Sequence, residues 1–332
     1  MRSSVYGGTR EGGPTLAPMP RETDAACPAC GGQLSWWCTV PSSEPRLGDV
    51  SFELARCVRC GTAVTLGNAP PELHESGAYG QGSPRLSRLA MPLMRIFDRQ
   101  RLALLGAGLR AGMSVLDVGA GRGRFVLSAR RAGLDARGIE PSARGLAAAT
   151  RLGVEVAHAG IEDAPIAECS LDAITLWHVL EHLDDPGQAL ARMHGWLRPG
   201  GALLVGVPNL ASVQALVGGE CWYHLDVPRH RVHFTPRGLE ELLRAHGFAP
   251  VRVHHLLLEH NPFGMWQSLV NRLTRNPSYL YNLLKRNAPT RSADLAITLL
   301  ALPLVPLAAV VEYVSGLRRR GGTIALLARR LP

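Results

Sequence analysis

The chain has 332 residues, of which 46% are hydrophobic and 19% charged, and its formal net charge is +9. These proportions are typical of a folded protein and exclude a chain that is disordered throughout. From residue 260 onward, ten basic residues accompany two acidic ones. This excess predicts an anionic partner, which could be a lipid surface, a phosphorylated substrate or a nucleic acid, unless it is a solvated face.

The first 24 residues are rich in glycine, serine and proline and contain no apolar run. They predict a disordered tail and no secretory signal, so we expect the protein in the cytosol. In that reducing compartment, the seven cysteines of the chain are not expected to form a disulfide framework.

Two matching C-x-x-C-G motifs lie in residues 25–70, which we expect to form a zinc ribbon. Each motif brings two thiolates to one side of a tight turn, and two such turns complete a tetrahedral Zn²⁺ site. Four thiolates leave no position for water, so this zinc is predicted to be structural. The predicted ligands are Cys27, Cys30, Cys57 and Cys60. Strands are expected near residues 36–40 and 51–55. The cysteines expected to be ordinary thiols are Cys38, Cys169 and Cys221.

The sequence Val-Leu-Asp-Val-Gly-Ala-Gly-Arg-Gly-Arg-Phe at residues 115–125 predicts a strand, a glycine-rich turn and a helix. Such a turn lets backbone N–H groups approach a ligand, and the helix N-terminus adds a partial positive charge. The next predicted strand ends in Glu140, where an acid can bind a ribose diol. Together these features indicate a site for a nucleotide-type cofactor.

These motifs resemble those of the class I S-adenosylmethionine (SAM)-dependent methyltransferases. The resemblance extends through Leu-Asp-Ala-Ile-Thr-Leu-Trp-His-Val-Leu-Glu-His-Leu-Asp-Asp-Pro at residues 171–186 and through residues 197–209. Residues 222–247, which contain Asp-Val-Pro-Arg-His-Arg-Val-His-Phe-Thr, are similar to a bacterial branch that methylates small molecules. The resemblance covers residues 71–258.

The alternation of strand and helix patterns predicts an α/β fold with a doubly wound, Rossmann-like sheet. Strands are expected near residues 114–119, 136–140, 154–158, 172–177, 202–207 and 250–258. Helices are expected near residues 123–132, 142–151, 186–197 and 236–246. The resemblance implies a seventh strand, antiparallel, within residues 321–332. Flanking the core at 111–258, we expect a helical linker and cofactor lid at 71–110 and an apolar, basic helical insertion at 259–320.

The resemblance also implies which residues bind SAM. The glycine-rich turn would pack against the amino acid part of SAM, and Asp117 would orient this turn or bind the amino group. Glu140 would accept both ribose hydroxyls, and the adenine would lie near Ile161 and Glu162. Tyr79 is either a lid over the cofactor or an ordinary surface residue. The full predicted set is Tyr79, Asp117, Gly119, Ala120, Gly121, Gly123, Glu140, Ile161, Glu162 and Trp177.

Histidines are the candidate general bases, because histidine titrates nearest neutral pH. His230 is the first choice, and His178 and His182 complete the predicted catalytic set. Alternatively, His230 and His233 bond backbone groups and hold their loop. Residues 178–182 also match the zinc-protease signature H-x-x-E-H, but that signature lies on a helix, whereas here it follows a predicted strand. The expected acceptor contacts are Tyr223 and Asp226.

Residues 295–311 form an apolar run interrupted by one threonine and two prolines. Its length is close to that of a membrane-spanning helix. The last strand must rejoin the sheet, however, so both ends are expected on one side of a membrane. Aromatic and basic residues upstream favour a headgroup interface. The run therefore predicts a re-entrant or interfacial element at an anionic membrane surface. A core-packed or dimer-forming insertion is the alternative.

The sequence thus predicts a SAM-dependent methyltransferase with a structural zinc, at the inner face of the cell membrane. Its acceptor is expected to be a hydroxyl or carbon of a small, lipid-linked or glycan-linked molecule. One alternative is an RNA methyltransferase that binds RNA through the ribbon and the basic C-terminal region. A second is a zinc-ribbon adaptor without catalytic activity. The sequence does not indicate the oligomeric state.

Overall fold

The computed structural model describes residues 22–67, 84–106, 108–259, 261–284 and 291–332. Within these residues the chain forms two sheets, a small antiparallel one and a larger mixed one, together with ten α-helices. The small sheet contains the cysteine motifs, and the larger one contains the glycine-rich turn.

The small sheet has five strands in the described residues. In sheet order they are β1 (Glu22–Ala26), β2 (Gln33–Pro41), β3 (Ser51–Cys57), β4 (Ala63–Thr65) and β9 (Val232–His233). The two strands predicted between the cysteine motifs correspond to β2 and β3. β1 begins inside the predicted disordered tail, because its backbone pairs with β2. β9 comes from the distant histidine-rich loop and pairs with β4, which sequence patterns did not predict.

The larger sheet has six strands in the order β10-β11-β8-β7-β5-β6. They are β5 (Ser114–Val118), β6 (Asp135–Ile139), β7 (Leu171–Trp177), β8 (Leu197–Pro208), β10 (Phe248–His254) and β11 (Thr323–Arg330). β5 to β8 are parallel to their neighbours in this group, and β11 lies antiparallel between β8 and β10.

The strand predicted near residues 154–158 is reduced to one parallel bridge between Ile139 and Ala157. Ala157 donates its N–H to the Gly138 carbonyl at 2.9 Å and accepts the Glu140 N–H at 3.0 Å. The segment therefore follows the edge of the sheet at β6 but forms too few ladder bonds to continue as a strand.

The helices that alternate with the strands begin where the sequence indicates. Ser142, Asp185 and Thr235 are N-caps, and each side chain accepts a hydrogen bond from the backbone N–H three residues later. Such a bond satisfies one of the unpaired donors at a helix start. In chain order the first six helices are α1 (Pro84–Leu104), α2 (Arg124–Arg131), α3 (Ala143–Arg151), α4 (Pro186–Trp196), α5 (Val213–Gly218) and α6 (Pro236–Ala245).

The insertion before β11 is helical. It contains α7 (Asn261–Asn271), α8 (Tyr279–Leu284), α9 (Ser292–Ala301) and α10 (Val305–Leu317). A short 3₁₀ turn, Leu302–Leu304, joins α9 to α10. Ser292–Leu317 is long and apolar enough to cross a membrane, judged by length and composition alone, and 22% of its most apolar window is buried.

The two sheets share one hydrophobic interior. A single cluster of buried side chains contains Cys27, Leu34 and Cys60 of the small sheet together with Leu116 and Leu242 of the larger unit. Because such clusters contribute stability through the apolar area that they remove from water, the cysteine-containing unit is an integral part of the core.

Candidate functional site

The glycine-rich turn between β5 and α2 adopts backbone conformations that favour glycine. Gly119, Gly121 and Gly123 all have positive φ angles, of 66°, 54° and 71°. A Cβ atom on Gly119 would lie 2.5 Å from Cγ2 of Val179, which follows β7. The turn is therefore in direct contact with the segment that carries His178 and His182.

Glu140 lies at the carboxyl end of β6, against this turn. Its Oε2 accepts the Gly121 N–H at 2.8 Å, and its Oε1 accepts the Ser142 N–H at 2.9 Å. The carboxylate thus borders the crevice at the carboxyl ends of the parallel strands, where ligands of such sheets bind. Its contact with a ribose remains a prediction.

Asp117 is buried and forms an ion pair with Arg101 of α1. It also accepts a 2.8 Å hydrogen bond from the Thr175 hydroxyl. Burial raises the pKa of Asp117, and the Arg101 guanidinium opposes this increase. The same guanidinium carbon lies 4.0 Å from the ring centroid of Phe125 and 5.3 Å from that of Trp177. Arg101 was not predicted, because an arginine within an amphipathic helix has no distinctive sequence signal.

The remaining predicted cofactor residues lie in different environments. Ala120 is buried beside the turn, and Ile161 belongs to the main buried cluster. Glu162 is exposed, and its carbonyl accepts a 2.6 Å hydrogen bond from Arg192. Trp177 ends β7, and its ring packs against Gly206 closely enough to leave no space for a Cβ there. Tyr79 lies outside the described residues.

The predicted catalytic histidines belong to two neighbouring segments. His178 Nδ1 lies 2.9 Å from Oε1 of Glu181. His182 Nδ1 lies 3.0 Å from the Arg229 carbonyl, and His230 Nδ1 lies 2.8 Å from the His224 carbonyl. The rings of His182 and His230 are 4.6 Å apart between centroids. The structure therefore brings all three histidines into one region, next to the glycine-rich turn.

Burial strongly affects the titration of this region. Burial and the nearby His230 lower the pKa of His182 to about 4. Burial acts to raise the pKa of Glu181, but hydrogen bonding to His178 outweighs it and lowers that pKa to about 2. At neutral pH the region therefore combines a neutral His182 with an ionised Glu181.

Two other predicted residues contact segments that are distant in sequence. His233 Nε2 lies 3.0 Å from the Thr65 hydroxyl, and burial together with His230 lowers the His233 pKa to about 3. Tyr223 packs edge-on against Phe263 and Tyr281. The alternative that these two histidines bond backbone groups matches His230, whose ring faces the His224 carbonyl, whereas the His233 ring contacts a side-chain hydroxyl.

Asp226 is engaged by Arg229, and its role as an acceptor contact stays a prediction. Arg229 donates to its two carboxylate oxygens at 3.0 and 2.5 Å. Burial acts to raise the pKa of Asp226, but the charges of Arg229 and His230 hold that pKa well below its usual range. The connection between β2 and β3 also reaches this pair: Ser43 Oγ donates to Asp226 at 2.5 Å, and Arg229 donates to Glu44 at 3.2 Å.

The four motif cysteines converge at one point. Sγ of Cys27 lies 3.7 Å from that of Cys60, Sγ of Cys30 lies 3.4 Å from that of Cys57, and all four sulfurs lie within 4.8 Å of one another. A tetrahedral ion with Zn–S bonds of about 2.3 Å places its sulfurs about 3.8 Å apart. The quartet therefore fits a zinc ion.

Similarity to known proteins agrees with this geometry. Residues 92–253 match the family model described as a methyltransferase domain. A ubiquinone biosynthesis O-methyltransferase of Cupriavidus pinatubonensis is 31% identical over 178 residues, which are 49% of this chain and 70% of that protein. The chain belongs to the SAM-dependent methyltransferases.

Two further comparisons concern a second sequence relative and a solved structure. The ubiquinone biosynthesis O-methyltransferase of Nitrobacter winogradskyi is 34% identical over 132 residues, 38% of this chain and about half (49%) of that protein's length. A chain of the solved complex between the Haloferax volcanii Trm112 methyltransferase activator and a methyltransferase aligns with a TM-score of 0.50 and 16% identity, covering 74% of this chain and 95% of that one. At this identity the likeness concerns the fold alone.

The arrangement in this methyltransferase suits an in-line methyl transfer. The glycine-rich turn and Glu140 border a cofactor crevice, and the histidine region is in contact with the turn through Val179. A group that removes a proton must lie within hydrogen-bonding reach of the acceptor atom, directly or through one water. The histidine region, which is next to the turn, contains the candidates for such a group.

Proposed function

We propose that this methyltransferase transfers the methyl group of SAM to a hydroxyl, or to a nucleophilic carbon, of a small acceptor. The observation that carries the proposal is the contact between the glycine-rich turn at Gly119 and Val179 of the histidine segment. This contact places the proposed cofactor-binding turn next to side chains that can accept a proton. The names of the relatives, both O-methyltransferases, favour the hydroxyl.

SAM, when bound, supplies a methyl group already activated by its sulfonium. The protein therefore has two tasks, which are to align the acceptor oxygen and to remove its proton. His178, held at Nδ1 by Glu181, and the pair of His182 and His230 are the groups proposed for the second task. Glu140 and the N–H groups of the glycine-rich turn are proposed to hold the cofactor.

We further propose that the cysteine quartet holds a structural zinc ion. The sulfur separations support it. The zinc would fix the small sheet. The connection between its strands β2 and β3 carries Ser43 and Glu44, which bond Asp226 and Arg229 of the histidine-rich loop. A zinc site with four thiolate ligands and no position for water can therefore still determine the conformation of the histidine-rich loop.

The helix Ser292–Leu317 supports a proposal that the protein binds an anionic membrane surface. Its polarity is inverted relative to an ordinary surface helix. The buried face carries Asp294, Thr298, Glu312 and Ser315. The exposed face carries large apolar side chains: Leu299, Leu300, Leu302, Leu304, Leu307, Val310, Tyr313 and Leu317. An exposed apolar face of this size is typical of an interaction surface.

The charges around the helix favour a lipid surface as the partner. Arg291 precedes the helix, Arg318, Arg319 and Arg320 follow it, and all four are exposed, whereas both acidic residues of the helix are buried. Basic residues near an anionic leaflet each contribute about 1 kcal/mol of attraction. Because β11 follows directly and lies within the sheet, an interfacial position suits the helix better than a crossing.

The function is tested by incubating the purified protein with methyl-labelled SAM and either membrane or soluble extracts. We expect label in a small-molecule or lipid fraction, and much less label with the Glu140→Ala variant when SAM is below saturation. Label confined to RNA would contradict the small-molecule acceptor and favour an RNA methyltransferase. Absence of both label and SAM binding would favour a non-catalytic adaptor.

A further inference from the structure

We propose a second metal site, separate from the cysteine quartet, in which Glu181, His182 and His230 bind a divalent transition-metal ion such as Zn²⁺. One ligand atom from each of these residues lies within 4.8 Å of the others. Two imidazoles and one carboxylate are the ligands of many catalytic metal sites, which keep open positions for a substrate or water.

The hydrogen bonds of the two histidines prepare them as ligands. In both rings Nδ1 is directed at a backbone carbonyl, at 3.0 Å from Arg229 for His182 and 2.8 Å from His224 for His230. These bonds fix Nδ1–H as a donor and assign Nε2 as the ligating atom in both rings. Metal-binding histidines commonly have this second bond, which orients the ring and strengthens the ligand.

Glu181 completes the set in a similar way. Oε1 faces Nδ1 of His178 at 2.9 Å. Oε2 is buried and has no hydrogen-bond partner in the described part of the chain. A buried carboxylate oxygen without a partner is costly, and a metal ion is one way to satisfy it. His178 would then orient the carboxylate.

The surrounding charge favours a cation. Two further carboxylates, Glu44 and Asp226, share a single guanidinium, that of Arg229. Asp226 Oδ2 is also 3.8 Å from Nε2 of His230. Closing the three ligand atoms around a Zn²⁺ ion, whose Zn–N bonds are about 2.0–2.1 Å, requires inward movements of about 1 Å.

The site deepens the proposed function, on which its chemical role depends. A metal-bound hydroxyl would have a lower pKa, so its proton could pass to water before or during transfer. His182 and His230 would then be metal ligands and would not accept the proton themselves. The acceptor oxygen then forms the O–CH₃ bond with its electron pair, while the C–S bond breaks and its pair stays on sulfur. The acceptor class is therefore a molecule with a hydroxyl oxygen that can bind the metal.

Metal binding can be tested without SAM or acceptor, so its failure is distinguishable from failure of the methyltransferase function. The protein is first loaded with one equivalent of Zn²⁺ for the cysteine quartet and then titrated with Co²⁺. We expect one further equivalent, with visible ligand-field absorption and no thiolate charge-transfer band. Glu181→Gln and His182→Gln should each weaken this second binding by tenfold or more.

His246→Gln is the matched control, because His246 also bonds a backbone carbonyl, that of Leu242 at 2.9 Å, but is not one of the three ligands. Circular dichroism and retained SAM affinity would show that the variants are folded. Uptake of only the cysteine-bound equivalent by the wild-type protein, or unchanged Co²⁺ binding in both folded variants, would overturn the proposal.

Discussion

The Thr65 hydroxyl of β4 donates a 2.7 Å hydrogen bond to the backbone carbonyl of His230. It also lies 3.0 Å from Nε2 of His233. One buried side chain of the cysteine-containing sheet thus contacts both ends of the segment from His230 to His233. The small sheet, which contains the cysteine quartet, and the positions of His230 and His233 are therefore physically connected.

Thr65→Val should destabilise the protein, because the valine has nearly the same shape but cannot hydrogen-bond to His230 or His233. A buried polar group that loses its partner costs about 1–3 kcal/mol. Urea denaturation measures the loss. Thr39→Val, on the exposed side of β2, is the control and should change little. Equal stability of the two variants would show that the Thr65 bonds are not important.

Replacing Cys57 and Cys60 together by serine should remove the predicted zinc and lower the stability of the whole protein. The reason is that these cysteines share a buried cluster with the larger sheet, so losing the site exposes part of a common core. Metal analysis and thermal unfolding check this. Cys169→Ser, at an exposed position, should keep both the metal and the melting temperature. Stoichiometric zinc in the double variant would show that the ligands lie elsewhere.

Arg101→Met should cost about 3–5 kcal/mol of unfolding free energy, because it leaves the buried Asp117 carboxylate without its counterion. Adding Asp117→Asn should recover part of this loss, since the uncompensated charge is then removed. Denaturant titration measures both effects. Arg137→Ala breaks the exposed ion pair with Asp135 and should have no measurable effect. A similarly small effect of Arg101→Met would argue against the buried pair.

The parts that the sequence predicted well are those encoded by neighbouring residues. The position of the glycine-rich turn, that of Glu140 after β6 and the clustering of the four cysteines each follow from a short motif, whereas their ligands stay predictions. The contacts that were missed join distant segments: Glu44 and Arg229 are 185 residues apart. No local pattern indicates such a pairing, because each residue alone reads as an ordinary surface charge.

The strand predictions show the same limit. β9 has two residues and exists because β4 offers a free edge, whereas the segment near 154–158 has a suitable composition but forms only a bridge. Pairing partners decided both outcomes. The bond between Arg101 and Asp117 depended likewise on where α1 packs, which periodicity alone does not indicate.

Gly119→Ala should weaken SAM binding by tenfold or more. The new Cβ would lie 2.5 Å from Cγ2 of Val179 at a φ of +66°, so the turn or Val179 must shift. Isothermal calorimetry measures the affinity. Gly153→Ala has a similar φ of +69° and nothing within 4 Å of the new Cβ, so it isolates the backbone strain and should leave SAM affinity unchanged. Val179→Ala in the Gly119→Ala background should restore part of the affinity. No recovery there would argue against the contact as the cause.

Glu140→Ala should also weaken SAM binding by more than tenfold, because ribose hydroxyls would lose a charged acceptor. Glu140→Gln should have an intermediate effect, since its amide oxygen still accepts a hydrogen bond. The exposed Glu155→Ala is the control. Unchanged calorimetric affinity in a folded Glu140→Ala variant would remove Glu140 from the cofactor site.

The helix Ser292–Leu317, with its exposed apolar face and flanking arginines, should bind the protein to anionic lipid. We expect co-sedimentation with liposomes that contain an anionic phospholipid, and weaker binding to neutral liposomes or at high salt, because screening reduces the attraction of the flanking arginines. Replacing Leu300 and Leu307, which are 81% and 60% exposed, by asparagine should reduce binding by tenfold or more without unfolding, since neither side chain is in the core.

Leu216→Asn, at a 71% exposed position in α5, is the matched control for the loss of an exposed leucine and should bind liposomes normally. Light scattering of the same proteins separates lipid binding from self-association. The membrane proposal is wrong if the wild-type protein does not bind liposomes and is a dimer that the Leu300 and Leu307 substitutions dissociate. In that case a second copy covers the apolar face.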